Sequence, residues 1–395
     1  MAYFKQKIKY EALTGGEAVA EAMRQIEPGV VPIYPITPQT PIVEKFASFV
    51  ASGKIDSEII TAESEHSVMS MAIGAASSGV RSMTATSSVG LAYMFEMLNI
   101  ASGMRMPIVL NVASRAISAP INIHCDHSDV MGVRDSGFIQ LWSETAQEAY
   151  DNTILAVRLA EQEDIRLPVM VIQDGFETSH TLEKVEKIED EKVKKFIGPY
   201  RYPYSLLKSK TQKTFGPLVL PNKYLEIKTD QWQAFAKAEQ AHDQIGAEFK
   251  KITGRNYPSI ELFGVDNETD AVVILLGASA GTAKNTAKQL KANGYNVGVV
   301  KIKLFRPFPF AQLAKLLSHI DKIAVLDRVF SLGSQPPLFT EVREALWNKR
   351  GKTNIQSFVF GLGGRSLKES QVEEVFADLL SNNFQEGTKI IGLEK

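Results

Sequence analysis

A few side chains of this 395-residue sequence could act together in one chemical step: the Thr37 hydroxyl, the carboxylate of Glu63 or Glu65, the hydroxyls of Ser87 and Ser88, and the Arg115 guanidinium. A carboxylate can hold or move a proton, a guanidinium grips an anion through charge-assisted N–H bonds, and a hydroxyl adds a neutral contact. Each of them follows a short apolar run. Thr37 lies in YPITPQTP after VVPIY, the glutamates in AESEH at the end of SEIITAE, the serines at the end of RSMTATSS, and Arg115 just after PIVLNVAS. Two steps of helix turn a chain by about 200°, so one carboxylate of AESEH can face solvent while the other enters a site.

YPITPQTP carries Pro35, Pro38 and Pro41 at every third residue, the spacing of a polyproline ligand. Binding as such a ligand would pull the flanking apolar strand from its sheet. The better reading is a rigid turn. Pro35 and Pro38 restrict the backbone on both sides of Ile36 and Thr37, so a loop without regular hydrogen bonding still presents the Thr37 hydroxyl in one place.

The elements that must position these groups are legible in outline. From Glu11 to about Ser179, short apolar runs alternate with helical spacing. TGGEAVAEAMRQI (capped by Thr14), PIVEKFASFVASG, ESEHSVMSMAIGAASSG, LAYMFEMLNIASGM and QEAYDNTILAVRLAEQED read as helices. VVPIY, SEIITAE, RSMTATSS, PIVLNVAS and LPVMVIQ read as strands, with ISAPINIHCDHSDVMGVRDSG as a loop. Such alternation predicts a parallel sheet with helices on both faces, whose ligands sit at the carboxyl ends of the strands. Thr37, Glu65, Ser87, Ser88 and Arg115 all fall on that edge.

Composition shifts near Leu182: EKVEKIEDEKVKK reads as solvated charge, and the proline-punctuated stretch after it as an arm laid across another surface. QWQAFAKAEQAHDQIGAEFKKITG is a connecting helix. A second alternating unit starts at Asp270, from DAVVILLG to IQSFVFGLGG, with VGVVKIKLF as a single strand. Its glycine-rich GASAGTAK, from Gly277, matches neither phosphate-loop template and reads as a plain turn. The expected division is 1–181, 182–255 and 256–395.

The balance of the chain excludes some partners. With 44% hydrophobic and 23% charged residues and a net charge of −1, it has no electrostatic signature for nucleic acid. No stretch is long and apolar enough for a membrane span, and MAYFKQKIKYEALTGGEAVA lacks a signal core, so a cytoplasmic protein is expected. A single cysteine, Cys125, excludes an iron–sulfur cluster held by this chain's cysteines alone. His66, His124, Asp126 and His127 do not complete a ligand set with any distant cluster, so no metal site is expected.

YPITPQTP, SEH at 64–66, TATSSVGL, ASRAISAP, DHSDVMGVRDSGFI, FRPFP and GLGGRS, in this order, resemble the alpha subunit of the 2-oxoacid:ferredoxin oxidoreductases over nearly the whole chain. The resemblance implies a thiamine-diphosphate fold, with a pyrimidine-binding domain and a smaller α/β domain like the carboxyl-terminal domain of transketolases. It implies CoA-dependent oxidative decarboxylation of a 2-oxoacid, with electrons passed to ferredoxin. Pyruvate is favoured, with branched-chain 2-oxoacids or 2-oxoglutarate as alternatives. Glu65 becomes the carboxylate at the cofactor's ring nitrogen, Arg115 and Thr37 the substrate's carboxylate holders, and Pro35, Ile36, Ser87 and Ser88 further cofactor contacts. No GDG diphosphate motif is present, and QDGF at Gln173 is the nearest match. Diphosphate and Mg2+ are therefore expected on a beta subunit, and iron–sulfur clusters on a ferredoxin-like delta subunit beside a gamma subunit. Cys125 stands where relatives often have a small residue such as glycine; it reads first as a tolerated small side chain, with an altered pocket shape and an oxidation-sensitive thiol as the alternatives. The rivals are a subunit of a lipoamide-linked 2-oxoacid dehydrogenase and a non-catalytic scaffold.

Overall fold

The computed structural model describes residues 9–207, 210, 212–349 and 353–394. The first eight residues of the expected signal-free start lie outside the described residues, as do Lys208, Ser209 and Thr211 of the expected arm. In chain order the first part runs β1 (Lys9–Thr14), α1 (Gly15–Ile26), β2 (Val30–Ile33), α2 (Thr40–Ala51), β3 (Glu58–Thr61), α3 (Glu65–Ser77), β4 (Met83–Thr86), α4 (Ser88–Tyr93), α5 (Phe95–Gly103), β5 (Val109–Ser114), α6 (Ser128–Gly132), β6 (Ile139–Ser143), α7 (Ala146–Ala160), β7 (Val169–Asp174), β8 (Leu182–Lys187) and α8 (Asp190–Ile197). Thr14 closes a capping box with Glu17 at the start of α1. Strands β6, β7, β5 and β4 pair in parallel in that order.

Beside β4, β2 and β3 form their own parallel pair. The join to β4 is thin because Pro32 has no N–H to donate. A bridge between Val30 and Ser82 and the Thr84 hydroxyl, which donates to the Pro32 carbonyl at 2.7 Å, hold it instead. Side chains alternate across the sheet: Val109 and Val171 pack with α1 and α7, while Leu110, Met170 and Ile172 pack with Val68 of α3 and Leu98 of α5.

The chain continues with α9 (Pro221–Thr253), β9 (Ile260–Phe263), β10 (Ala271–Leu275), α10 (Ala280–Ala292), β11 (Val297–Ile302), β12 (Leu304–Arg306), α11 (Phe310–Leu316), β13 (Lys322–Asp327), α12 (Pro337–Ala345), β14 (Asn354–Val359), α13 (Glu369–Leu380) and β15 (Thr388–Ile390). The second sheet has the order β15-β14-β13-β10-β11-β9 and is parallel except for β9. Val272, Ile274, Val300 and Ile302 belong to the same apolar cluster as Leu110 and Ile172, so the two sheets share a core.

Several expectations need correction. VGVVKIKLF is two strands. After Ile302 the chain leaves the second sheet, and Leu304–Arg306 joins the first as an antiparallel edge on β6, so that sheet is not purely parallel. Lys303, at the crossing, accepts from the Trp142 amide at 2.8 Å. IQLWS, left unassigned above, is the fully buried β6. LEKVEK, read as solvated charge, is β8; it pairs with β1 and buries only Val185. Helix α9 starts ten residues before the expected Gln231; residues 221–230 are exposed all round, Tyr224, Leu225 and Ile227 included, so they present no buried face to mark them as helix. The helix LAYMFEMLNIASGM is broken at Met94.

Candidate active site

Glu65 opens α3 behind Ser64, whose hydroxyl accepts from the Ser67 amide at 3.3 Å. Serine at this position starts the helix, and a carboxylate in the first turn sits at its positive end. Glu65 is only 7% exposed, and none of the described residues donates a hydrogen bond to its carboxylate. The carboxylate lies against Gly90 of α4. A Cβ there would be 2.5 Å from Glu65 Oε1 and 2.7 Å from Thr86 Oγ1, so glycine alone leaves the room. Glu63 differs: it is exposed, accepts from the Ser67 hydroxyl, and is held below the usual carboxylate range mainly by that bond. His66 faces outward to Glu96 at 3.4 Å.

The ends of β4 and β5 are tied by a residue whose role the sequence reading missed. Asp129, in α6, is fully buried. Its Oδ2 accepts from the amides of Ser88 at 2.8 Å and Arg115 at 3.0 Å, and its Oδ1 from the Ser114 hydroxyl and the Val130 amide at 2.7 Å each. Burial pushes its carboxyl up to about 6 against the pull of these four bonds. The only sequence signal was an acid within the quoted DHSDVMGVRDSGFI loop.

Ser88 (φ 49°) spends its hydroxyl on the Ala116 carbonyl at 2.6 Å, so both its polar hydrogens are committed to the fold. The buried hydroxyls of Ser87 and Thr86 find no partner among the described residues.

Arg115 is 6% exposed. Its Nε donates to the Asn122 carbonyl at 3.0 Å and its Nη1 to the Thr37 carbonyl at 2.9 Å. Nη2 and one Nη1 hydrogen have no acceptor among the described residues and can reach a bound anion. Thr37 is thus tied through its carbonyl while its side chain stays exposed. Pro35 is exposed, Ile36 half-buried, and the Thr37–Pro38 bond is cis. Gln39 completes the clamp: its amide nitrogen donates to the Tyr34 carbonyl at 2.9 Å, and its buried Oε1 has no partner among the described residues.

Asp174 of QDGF is fully buried and already engaged. It shares a hydrogen bond with His127 Nε2 at 3.1 Å and accepts from Arg328 Nη1 and the Ala278 amide, both at 3.2 Å. Burial alone would raise its carboxyl, but His127 and Arg328 outweigh this and hold it below the usual range. Cys125, His127 and Asp174 offer ligand atoms within 4.8 Å of one another, beside the guanidinium that already balances Asp174. Cys125 is completely buried, and burial pushes its thiol well above the ordinary value, which speaks against the alternative of an oxidation-sensitive thiol. His124, at the surface, stacks on Phe176.

Comparison with known proteins gives consistent results. The family model described as pyruvate flavodoxin/ferredoxin oxidoreductase, thiamine-diphosphate-binding, matches residues 21–247, and that of pyruvate:ferredoxin oxidoreductase core domain II matches 269–372. The chain is 50% identical to the pyruvate synthase subunit PorA of Thermotoga maritima, over 94% of this chain and 95% of that one. It is 43% identical to PorA of Methanocaldococcus jannaschii over 92% and 93%. It is 38% identical to the ketoisovalerate oxidoreductase subunit VorA of Pyrococcus abyssi over 93% of each. Among solved structures, the 2-oxoglutarate:ferredoxin oxidoreductase of Magnetococcus marinus, with 2-oxoglutarate, coenzyme A and succinyl-CoA bound, superposes with a TM-score of 0.72 at 21% identity. That match covers 95% of this chain and 66% of the other, slightly under two thirds of its length. A split-gene transketolase, an inactive beta4 tetramer, gives 0.54 at 14% identity over 94% and 99%. At these identities the structures support the fold alone, a thiamine-diphosphate-binding α/β fold.

Proposed function

Because this chain belongs to the pyruvate flavodoxin/ferredoxin oxidoreductase family, we propose that it is the alpha subunit of a pyruvate synthase type complex. That complex converts pyruvate and CoA to acetyl-CoA and CO2 and passes electrons to ferredoxin. The observation that carries this reading is a buried Glu65 carboxylate without a donor among the described residues, at the strand edge of a chain half identical to a pyruvate synthase subunit.

The residues present fit the aminopyrimidine half of thiamine diphosphate: a free carboxylate at Glu65 and an orphaned hydroxyl at Ser87. When bound, the cofactor supplies the carbon nucleophile and the electron sink for decarboxylation. Glu65 hydrogen-bonds the ring nitrogen and holds the proton there. Pro35 and Ile36 supply a backbone wall, and Ser87 a hydroxyl contact. Ser88, its hydrogens already committed, shapes the turn. The free Nη hydrogens of Arg115 and the Thr37 hydroxyl hold the substrate carboxylate.

The committed Asp174 supports placing the diphosphate and Mg2+ on a beta subunit, with iron–sulfur clusters on a delta subunit, a gamma subunit beside them, and CoA as cosubstrate. None of the described helices is long and apolar enough to cross a membrane, and the cytoplasm is the proposed location. The division 1–181, 182–255 and 256–395 belongs to the same proposal. The VorA likeness supports 2-oxoisovalerate as the second substrate to try.

The test is viologen reduction by the assembled complex with thiamine diphosphate, CoA and either pyruvate or 2-oxoisovalerate, without lipoamide. Pyruvate is expected to give the higher kcat/KM. A requirement for lipoamide would move the chain to the dehydrogenases, and failure to bind thiamine diphosphate would leave only a scaffold.

A further inference from the structure

Arg115 is aimed by a loop that is itself held from the other sheet. Residues 116–127 leave β5 and return to α6 with Ile121 78% and Ile123 42% exposed, so the middle of this loop has no apolar anchor. Its shape is set by hydrogen bonds. The Ala116 amide donates to the His124 carbonyl at 3.0 Å. Asn122 makes three more: its carbonyl accepts from Arg115 Nε at 3.0 Å, its Oδ1 accepts from the His124 amide at 2.7 Å, and its Nδ2 donates to the Gly363 carbonyl at 3.1 Å.

Gly363 belongs to the turn GLGG that follows β14, more than two hundred residues away in sequence. The Gly364 amide donates to the Cys125 carbonyl at 2.7 Å, giving the loop a second fastening to the same turn. Gly361, Gly363 and Gly364 have φ of 67°, 62° and 87°, which side-chain-bearing residues rarely adopt. Space is short as well: a Cβ on Gly363 would sit 2.5 Å from Asn122 Nδ2, and one on Gly364 2.4 Å from the His124 Cβ. Arg328 anchors the turn by donating to the Gly361 carbonyl at 3.0 Å, while the Arg328 carbonyl accepts from the His127 amide at the far end of the loop.

We infer that Asn122 is a positioning residue: locked to the glycine turn of the C-terminal sheet, it fixes the plane of the Arg115 guanidinium so that the free Nη edge meets the 2-oxoacid carboxylate. The inference rests on the proposed role of Arg115. It gives the C-terminal unit a part in substrate recognition through backbone contacts alone, since Gly363 and Gly364 have no side chains to offer. With a mobile carbonyl at Nε, the Nη1 bond to the Thr37 carbonyl would be the guanidinium's one fixed contact among the described residues, and the group could turn about it. An Nε bond to a carbonyl pinned on both sides prevents that turn.

The test uses the assembled complex carrying Asn122→Ala, Gly364→Ala or Arg115→Ala, and each of the first two combined with the third. Apparent KM for pyruvate and 2-oxoisovalerate is read alongside equilibrium binding of thiamine diphosphate. Asn122→Ala and Gly364→Ala are each expected to raise KM for both acids by roughly three- to ten-fold, the range of one lost hydrogen bond. Thiamine diphosphate binding should not change, and neither substitution should add to the effect of Arg115→Ala. A merely structural role would weaken cofactor binding or multiply with Arg115→Ala, and either result overturns the inference. If Arg115→Ala raises KM and Asn122→Ala does not, the positioning role is wrong and the role of Arg115 stands. An unchanged KM in Arg115→Ala removes the premise and the inference with it. Should Gly364→Ala fail to assemble, Asn122→Ala, which deletes one half-buried amide, decides by itself.

Discussion

Glu65 and Glu63 are two residues apart, yet one is buried without a donor among the described residues and the other is solvated and bonded to Ser67. That contrast makes them a matched pair. In the assembled complex Glu65→Gln should slow exchange of the thiamine C2 proton by about 100- to 10,000-fold, the usual range for a general acid–base group. Glu63→Gln should leave exchange near wild type, and equal slowing in both would mean that the site's carboxylate has been wrongly chosen. Thr37 is subtler because its carbonyl, not its side chain, meets Arg115. Thr37→Val keeps that carbonyl and removes one neutral hydroxyl, so KM for pyruvate should rise by only about 0.5–1.5 kcal/mol in binding terms. A loss as large as that of Arg115→Ala would show that the substitution disturbs the loop itself.

Helix α12 begins at Pro337 behind Pro336, and neither side chain can cap it. The cap comes from β13 instead: the Asp327 carboxylate accepts from the amides of Leu338 at 2.9 Å and Phe339 at 3.0 Å. Burial outweighs these bonds and pushes its carboxyl up to about 7. An acid whose folded pKa is raised contributes fully below its unfolded pKa of about 4, and that contribution is lost as pH rises through the folded value. Asp327→Asn should therefore be less stable than wild type at pH 5, with the deficit narrowing toward pH 8 by an amount on the order of 1–4 kcal/mol. Thermal unfolding of both chains across that range checks it; a deficit that does not change with pH would mean that Asp327 is ionised throughout.

Across the whole molecule, the two sheets are joined where β11 hands the chain to β12. Lys301 and Lys303, each 3% exposed in the side chain, sit at the crossing. Lys301 Nζ reaches Glu144 at 2.5 Å, Glu148 at 2.8 Å and Glu261 at 2.9 Å, and Lys303 reaches Glu148 at 3.0 Å. Burial would raise the Glu148 carboxyl, but Lys303 and Lys301 hold it well below the usual range. For a carboxylate lowered in this way, stability is present above the unfolded pKa of about 4.3 and lost as pH falls through the folded one. Lys301→Met strands buried carboxylates. It should destabilise the chain by about 3–5 kcal/mol and move acid unfolding to a higher pH. Wild-type unfolding temperature and acid midpoint in that variant would show that Lys303, with Lys284 at 2.6 Å from Glu144 and 2.7 Å from Glu261, suffices.

Much of the molecule was legible in the chain because its signals are local. Apolar periodicity reports which residues share a face within one element, so most of the strands and helices before Ser179 could be read, together with the strand-edge positions of Thr37, Glu65, Ser87, Ser88 and Arg115. The motif series pointed to the family. Local signals failed where partners are distant. The charges of LEKVEK hid β8 because its pairing with β1 leaves most of it half exposed. VGVVKIKLF gave no hint that Lys303 marks a change of sheet. Which of the two serines keeps a free hydroxyl depends on the Ala116 carbonyl, 28 residues from Ser88. The aim of Arg115 depends on an amide–carbonyl bond between Asn122 and Gly363, 241 residues apart. A hydrogen bond needs only that two groups meet in space, and nothing in the neighbouring residues of either group records where the chain brings the other.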